Sequence, residues 1–110
     1  MTADATRFRD LLMSRKSDLI DLSDTSADAR KPVQLDQSMI GRLSRIDAMQ
    51  DREMALATER RRQQETLRIE AALKRMETGD YGYCLSCGEE IELRRLELDP
   101  AVTVCIDCAR

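Results

Sequence analysis

The chain has no histidine, no tryptophan, and only one phenylalanine and two tyrosines among its 110 residues. Histidine is the commonest acid–base catalyst and metal ligand, so its absence removes the usual catalytic apparatus. The sequence also has no glycine-rich phosphate-binding motif and no nucleophile elbow. A β-sandwich or barrel core needs more aromatic side chains than this chain carries. We therefore expect neither an enzyme nor an all-β domain.

Long apolar segments are missing as well. A helix that spans a bilayer needs about 20 consecutive apolar residues, and the N-terminal sequence MTADATRFRDLL lacks the apolar centre of a signal peptide. We expect a soluble chain in the cytoplasm, with no membrane contact. Disulfides are rare in that reducing compartment, so the four cysteines indicate metal binding or catalysis before cross-linking.

The charge balance is slightly acidic, with 18 lysines and arginines against 21 aspartates and glutamates and a formal net charge of -3. Affinity for DNA or RNA regardless of sequence requires a surplus of cations that neutralise phosphates. The charge of this chain therefore opposes binding to nucleic acid in general, and we expect no direct, sequence-specific binding either. A basic protein partner fits the charge better.

Apolar residues at helical spacing predict a first helix over residues 6–22, with Phe8 and Leu19 on one face. A segment rich in serine, aspartate and alanine follows, near residues 23–37, and it contains Pro32. Proline lacks a backbone donor and pushes the preceding residue out of helical angles. This segment is therefore predicted to be a linker.

A second helix is predicted from Asp36 or Ser38, either of which can cap a helix, to just before Gly79. It would have about 40 residues and a length of roughly 60 Å. The first helix, at roughly 26 Å, covers only part of that length. The sequence thus predicts an all-α fold for residues 1–78, an antiparallel hairpin of one short and one long helix. Part of the long helix should project or pair with another molecule.

All four cysteines lie in residues 79–110, which we expect to form a second unit. Cys84 and Cys87 form one C-x-x-C pair, and Cys105 and Cys108 form another. Seventeen residues separate the two pairs in the sequence, a spacing typical of a zinc site. Four thiolates close a tetrahedron around the ion and leave no open position for substrate, so we expect one structural zinc ion. A dithiol redox centre and a rubredoxin-like iron site use similar spacing and stay open as alternatives.

Three motifs follow one another in this second unit: GYC-x-x-CG, then I-x-x-RRLE-x-x-P, and finally CIDC. In this order they resemble the zinc finger of the bacterial DksA/TraR family. The resemblance covers about the last 30 residues, and the preceding sequence LKRMETGDYGYC is similar to the end of that family's coiled coil.

The resemblance implies that the chain binds RNA polymerase directly, inserts its hairpin into the secondary channel and modulates transcription initiation. The family's hairpin tip carries Asp-x-x-Asp-x-Ala, and the candidates here are Asp21 with Asp24, or Asp47. Arg94 and Arg95 are candidate contacts to the partner within the finger. These five residues are predictions for partner binding.

The resemblance also bears on the alarmone ppGpp, which often acts together with members of this family. Members that form a ppGpp site place basic residues just before the finger proline and just after the last cysteine. Those positions here hold Asp99 and Ala109, and only Arg68 retains the third basic position. Since Asp99 would repel a polyphosphate, we do not expect a strong ppGpp response through this site.

A second hypothesis is a zinc-stabilised adaptor that binds another protein through the apolar stretch over residues 39–54, without activity on polymerase. Two further features have mainly structural interpretations. The mid-helix charges Arg60, Arg61 and Arg62 are predicted to be solvated. Tyr81 and Tyr83 are expected to pack the finger against the end of the long helix.

Overall fold

The computed structural model describes residues 3–33 and 42–110, and this part of the chain contains four α-helices and no β-strand. The elements are α1 (Ala3–Thr25), a 3₁₀ turn (Ala27–Arg30), α2 (Arg42–Thr78), α3 (Leu93–Leu98) and α4 (Ile106–Ala109). None of these helices is long and apolar enough to cross a bilayer. The predicted all-α class is confirmed.

Helix α1 is longer than predicted, since it begins three residues earlier and ends three residues later than residues 6–22. At its end, the Thr25 hydroxyl donates to the Asp21 carbonyl at 3.0 Å and the Ser26 hydroxyl donates to the Leu22 carbonyl at 2.7 Å. These bonds supplement the backbone bonding at the helix end, where the amide of Ser26 also donates to the Leu22 carbonyl at 3.1 Å. The predicted linker is correspondingly shorter at its start.

The chain leaves the 3₁₀ turn in an extended conformation. Lys31 has φ −65° and ψ 150°, as expected for a residue that precedes a proline. Residues 34–41, which include the end of the predicted linker and the proposed cap residues Asp36 and Ser38, lie outside the described residues.

Helix α2 has 37 residues and is about 55 Å long. It ends at Thr78, just before Gly79 as predicted, and Gly79 has φ 81°. The amide of Asp80 donates to the Arg75 carbonyl at 2.8 Å, which is the bond of a Schellman cap with glycine in the left-handed position. The principal dimensions of the fold are 62 × 28 × 20 Å.

The two long helices are antiparallel. Along α1, Phe8 contacts the Tyr81 ring just beyond α2, Lys16 pairs with Glu70, and Ser23 donates to Glu59. Residue numbers on α2 therefore fall as those on α1 rise, and the predicted hairpin of a short and a long helix is confirmed. Residues 46–51, near the start of α2, are exposed.

Two buried clusters join the hairpin to the cysteine-rich unit. One combines Phe8 of α1 with residues from the finger, namely Cys84, Ile91, Leu96, Val102 and Cys105. The other combines buried residues of both helices with Ala101, and these are Leu12, Leu19, Ile69 and Ala72. Because apolar side chains from all three parts are buried together, the finger is fixed at one end of the hairpin.

Tyr81 contributes to both clusters, as the sequence predicts. Its hydroxyl donates to the Pro100 carbonyl at 2.7 Å, and burial raises the pKa of Tyr81 to about 12. Tyr83 differs from the prediction, because its side chain is exposed and its backbone forms an isolated antiparallel bridge with Glu90.

Candidate metal centre and partner-binding residues

The first cysteine pair lies in a tight turn stabilised by backbone hydrogen bonds. The amide of Cys84 donates to the Glu89 carbonyl at 2.8 Å, and the amide of Gly88 donates to the Cys84 carbonyl at 2.9 Å. Gly88 has φ 79°, a left-handed conformation that favours glycine. The amide of Ser86 lies 3.4 Å from the Cys84 sulfur. The turn thus directs a backbone donor at a sulfur, which favours the thiolate.

The second pair begins helix α4. Cys105 precedes the helix, and its carbonyl accepts from the amide of Ala109 at 3.0 Å. A backbone bond of 2.8 Å from Leu85 to Thr103 joins the two cysteine segments. The sequence is therefore folded so that pairs seventeen residues apart face each other.

The four cysteine sulfurs form one cluster, with all sulfur atoms within 4.8 Å of one another. The Cys87 and Cys105 sulfurs are 3.7 Å apart, and all four cysteines are free thiols. Sulfurs bound tetrahedrally to zinc at about 2.3 Å lie about 3.8 Å from one another. The donor set and its spacing therefore fit one zinc ion held by Cys84, Cys87, Cys105 and Cys108.

Without metal, the four thiols differ in acidity. A backbone hydrogen bond from Cys105 is the main cause that lowers the pKa of Cys84 to about 6. Hydrogen bonds among the neighbouring sulfurs, with that to Cys105 first, raise the pKa of Cys108 to about 12. One negative charge in the cluster therefore opposes the ionisation of the next. Binding of a divalent cation removes this opposition, because thiolates are the ligands of zinc.

The two finger arginines have different environments. Arg95 is half-buried, and its Nε–H donates to the Val104 carbonyl at 2.9 Å, so it braces α3 against the segment that precedes Cys105. Arg94 is exposed and has no ion pair within the described residues. Of the two, only Arg94 is free to meet a partner without disturbing the finger.

The acidic candidates fall into two separate places. Asp21 and Asp24 are exposed in the last two turns of α1, where Asp24 lies beside Gln63 of α2. Asp47 is exposed near the start of α2, sixteen residues and therefore about 24 Å from Gln63 along the helix. The structure does not bring Asp24 and Asp47 together.

One cluster in the hairpin is absent from the sequence-based predictions. Glu59 of α2 is buried, and its carboxylate accepts from the Ser23 hydroxyl. Arg30 Nη1 lies 2.7 Å from Glu59 Oε2, and Arg62 Nη1 lies 3.6 Å from the same oxygen. Arg62 also donates to the Ser26 hydroxyl at 3.0 Å. The prediction that Arg62 is solvated is therefore wrong, although Arg60 and Arg61 are exposed as predicted.

Arg68, the retained basic position, is held by carboxylates of the chain itself. Its guanidinium lies 2.7 Å from Asp99 and 2.8 Å from Glu65. The hydrogen bond to Asp99 is the main cause that raises the pKa of Arg68, while partial burial acts in the opposite direction. Arg68 is thus paired with acids where a polyphosphate would need an unpaired cation.

Comparison with family models shows that residues 79–110 match the prokaryotic DksA/TraR C4-type zinc finger. Among curated proteins, the chain is 48% identical over 63 residues to the RNA polymerase-binding transcription factor DksA of Haemophilus influenzae. It is 46% identical over 63 residues to the protein of the same name from Escherichia coli K12. These alignments cover 56% of the chain and 43% and 42% of the two relatives, so the match spans less than half of their length.

A solved structure is similar over almost the whole chain. The transcription factor DksA2 from Pseudomonas aeruginosa superimposes with a TM-score of 0.81 at 29% sequence identity. The superposition covers 98% of this chain and 81% of that protein. The similarity therefore extends through the helical hairpin as well as the finger.

Proposed function

Since residues 79–110 match the DksA/TraR zinc-finger family, we propose that this chain binds RNA polymerase directly and modulates transcription initiation by placing its hairpin in the secondary channel. The observation that carries this proposal is the solved transcription factor's match over 98% of the chain, hairpin included. The chain then acts as a cytoplasmic regulator and not as an enzyme. A four-thiolate zinc site, which has no open position, agrees with a structural role.

The proposal assigns different tasks to residues 1–78 and 79–110. The finger binds the outside of the polymerase and fixes the direction of the hairpin, while the hairpin reaches inward. Bound zinc supplies a rigid cross-link between the two cysteine segments. The rings of Phe8 and Tyr81 have centroids 6.2 Å apart. They pack the finger onto the hairpin and so hold the two parts in a fixed relative orientation.

Within this mechanism we assign Asp47 to the functional tip. It is exposed near the start of α2, at the end of the hairpin away from the finger. Arg94 is proposed as a direct contact of the finger, and Arg95 as a positioning residue that holds α3. For Asp21 and Asp24, which lie on α1, we propose a contact on the flank of the hairpin and no role at the tip.

The proposed regulation is independent of ppGpp at the finger. The ion pair of 2.7 Å between Arg68 and Asp99 supports this, because an anion would have to break it and face the freed Asp99 carboxylate. A strong response to ppGpp that is lost in an Arg68→Ala variant would contradict this part of the proposal.

The proposal is tested by titrating fluorescently labelled, zinc-loaded protein into purified cognate RNA polymerase. We expect saturable binding that is weakened by Arg94→Ala, with Asp107→Ala as a matched control for an exposed charge in the same finger. Asp47→Ala should bind with the same affinity but lose the effect on transcription from a purified promoter. Absence of binding at low salt would contradict the proposal.

A second candidate function is an adaptor that binds another protein through α2. It is favoured by exposed apolar side chains in the described part of the stretch over residues 39–54, which are Ile46, Met49 and Met54. Met39 and Ile40 of that stretch lie outside the described residues. If polymerase does not bind, a double Met49→Gln, Met54→Gln variant tests whether other protein contacts depend on this surface.

A further inference from the structure

Two cavities lie along one side of the hairpin between α1 and α2, and together they are called the groove. Its first part has a volume of about 410 Å³ and is lined by Leu19, Ile20 and Asp24 of α1 and by Gln63, Leu67 and Glu70 of α2. Its second part, of about 290 Å³, is lined by Arg9, Met13, Leu73, Met76 and Glu77. The α1 members succeed one another at spacings of four and seven residues, which place them on one stripe of the helix. The two parts therefore face the same side of the hairpin, with the Lys16–Glu70 ion pair between them.

The groove presents apolar side chains to water. Met13 is 51% exposed, Ile20 is 47% exposed and Leu67 is 65% exposed, while Leu19 is buried beneath them. The lining residues on α1 extend from Arg9 to Asp24, which corresponds to about 22 Å. A groove of this length between two helices fits four turns of a third helix with apolar residues at the i, i+3 or i+4, and i+7 positions.

Acidic side chains border the groove. Asp24, Glu70 and Glu77 line it, against a single lining cation, Arg9. Glu70 is paired with Lys16 at 3.3 Å, whereas no described residue forms an ion pair with Asp24 or Glu77. The border is therefore net negative and partly uncompensated.

The charge pattern at the end of α1 favours a functional explanation for this border. Asp18, Asp21 and Asp24 lie in the last part of the helix, which has no basic residue in its final turn. None of the three has an ion-pair partner among the described residues. Negative charges near a helix C-terminus oppose the helix dipole and cost stability. A cationic partner would offset that cost.

We propose that this groove binds a basic amphipathic helix of another protein. Apolar side chains of that helix fill the space around Ile20 and Leu67, and its lysines or arginines contact Asp24 and Glu77. A second copy of this chain is the weaker occupant, because each copy carries a net charge of -3 and the like-charged borders would repel. This proposal goes beyond the proposed function, because the groove is a surface of the hairpin itself and does not require bound polymerase.

The experiment uses the zinc-loaded full chain and a labelled synthetic peptide of about 18 residues with leucines at helical spacing and lysines beside them. We expect saturable binding by fluorescence anisotropy, weakened about tenfold or more by Leu67→Lys and by Asp24→Lys. Leu98→Lys and Asp107→Lys are the controls, because they change an exposed leucine and an exposed aspartate of the finger. They should change the affinity less than about twofold.

A peptide with glutamate in place of lysine is the control for charge, and it should not bind. Equal binding of both peptides, no saturation, or equal affinities of the groove and control variants would overturn the proposal. Self-association of the free chain that Leu67→Lys abolishes, measured by sedimentation, would also overturn it and identify a second copy as the occupant. Far-UV circular dichroism of each variant must match that of the unchanged protein. Polymerase titration of Leu67→Lys separates this site from the proposed function, because Leu67 has no assigned contact with polymerase and the peptide assay contains no polymerase.

Discussion

Replacement of Glu59 by alanine tests the charge cluster that joins α1, the 3₁₀ turn and α2. The carboxylate accepts from the Ser23 hydroxyl and lies 2.7 Å from Arg30 and 3.6 Å from Arg62. The Arg30 contact to Oε2 is an ion pair and not a directed hydrogen bond. Without the carboxylate, Arg30 and Arg62 face each other with no intervening negative charge, and Ser23 loses its acceptor.

The expected cost follows from this geometry. Removal of one partner from a buried ion pair costs about 3–5 kcal/mol, because the remaining charge stays buried without compensation. The side chains of Arg30 and Arg62 are 21% and 20% exposed, so water recovers part of that cost. We expect Glu59→Ala to lower the free energy of unfolding by about 2–4 kcal/mol. Glu59→Gln keeps an acceptor for Ser23 and should lose about half as much.

The assay is urea unfolding of the zinc-loaded protein, followed by far-UV circular dichroism. Glu53→Ala is the matched control, because Glu53 is also on α2, its side chain is 69% exposed, and its contact to Arg52 is 4.0 Å. The control should change stability by no more than about 0.5 kcal/mol. If Glu59→Ala unfolds at the same urea concentration as Glu53→Ala, the cluster does not stabilise the hairpin.

Three further predictions concern the finger and its junction with the hairpin. Cys87→Ser removes a zinc ligand and should unfold residues 79–110 while part of the helical signal remains. The reason is that a structural zinc contributes binding energy on the order of 10 kcal/mol. Unchanged dispersion of the amide signals of that segment in an NMR spectrum would contradict this prediction. Zinc binding at pH 7 should release protons from Cys87 and Cys108, because the pKa of both thiols is raised. Below pH 6 a further proton should come from Cys84, whose pKa is about 6, so zinc affinity should fall more steeply there. Calorimetry in buffers of different ionisation enthalpy measures the released protons, and equal heats in all buffers would refute the prediction. Phe8→Ala should lower the free energy of unfolding by about 3–5 kcal/mol, since Phe8 is buried with 1% of its surface exposed. Chemical denaturation measures this change, and an unshifted midpoint would contradict the prediction.

The features that could be predicted from the sequence are those set by local spacing. The cysteine pairs and Gly79 each depend on a few neighbouring residues, because two-residue turns and helix caps have strict local requirements. Helical periodicity similarly indicated the two long helices and the buried positions of Phe8 and Leu19. The bounds of α1 were less accurate, because Thr25 and Ser26 extend its hydrogen bonding after the apolar pattern has ended.

The features that sequence reasoning missed depend on contacts between distant segments. Glu59 lies in a polar run, and nothing in that run shows that Ser23 and Arg30 approach it from 36 and 29 residues away. The same holds for Asp99, which the sequence identified as acidic but not as the partner of Arg68. Burial of a charge becomes visible only once the register of the two antiparallel helices is known.

The central claim, that the hairpin enters the secondary channel of RNA polymerase, is tested most directly by photo-crosslinking from position 47. A photoreactive amino acid replaces Asp47, and another replaces Asp10 on the finger-proximal half of α1 as the control. Mass spectrometry then identifies the crosslinked polymerase peptides. We expect position 47 to crosslink to residues that line the channel near the catalytic centre and position 10 to crosslink elsewhere. Crosslinks from position 47 only to the outer surface of the polymerase, or none at all under conditions of saturated binding, would contradict the claim.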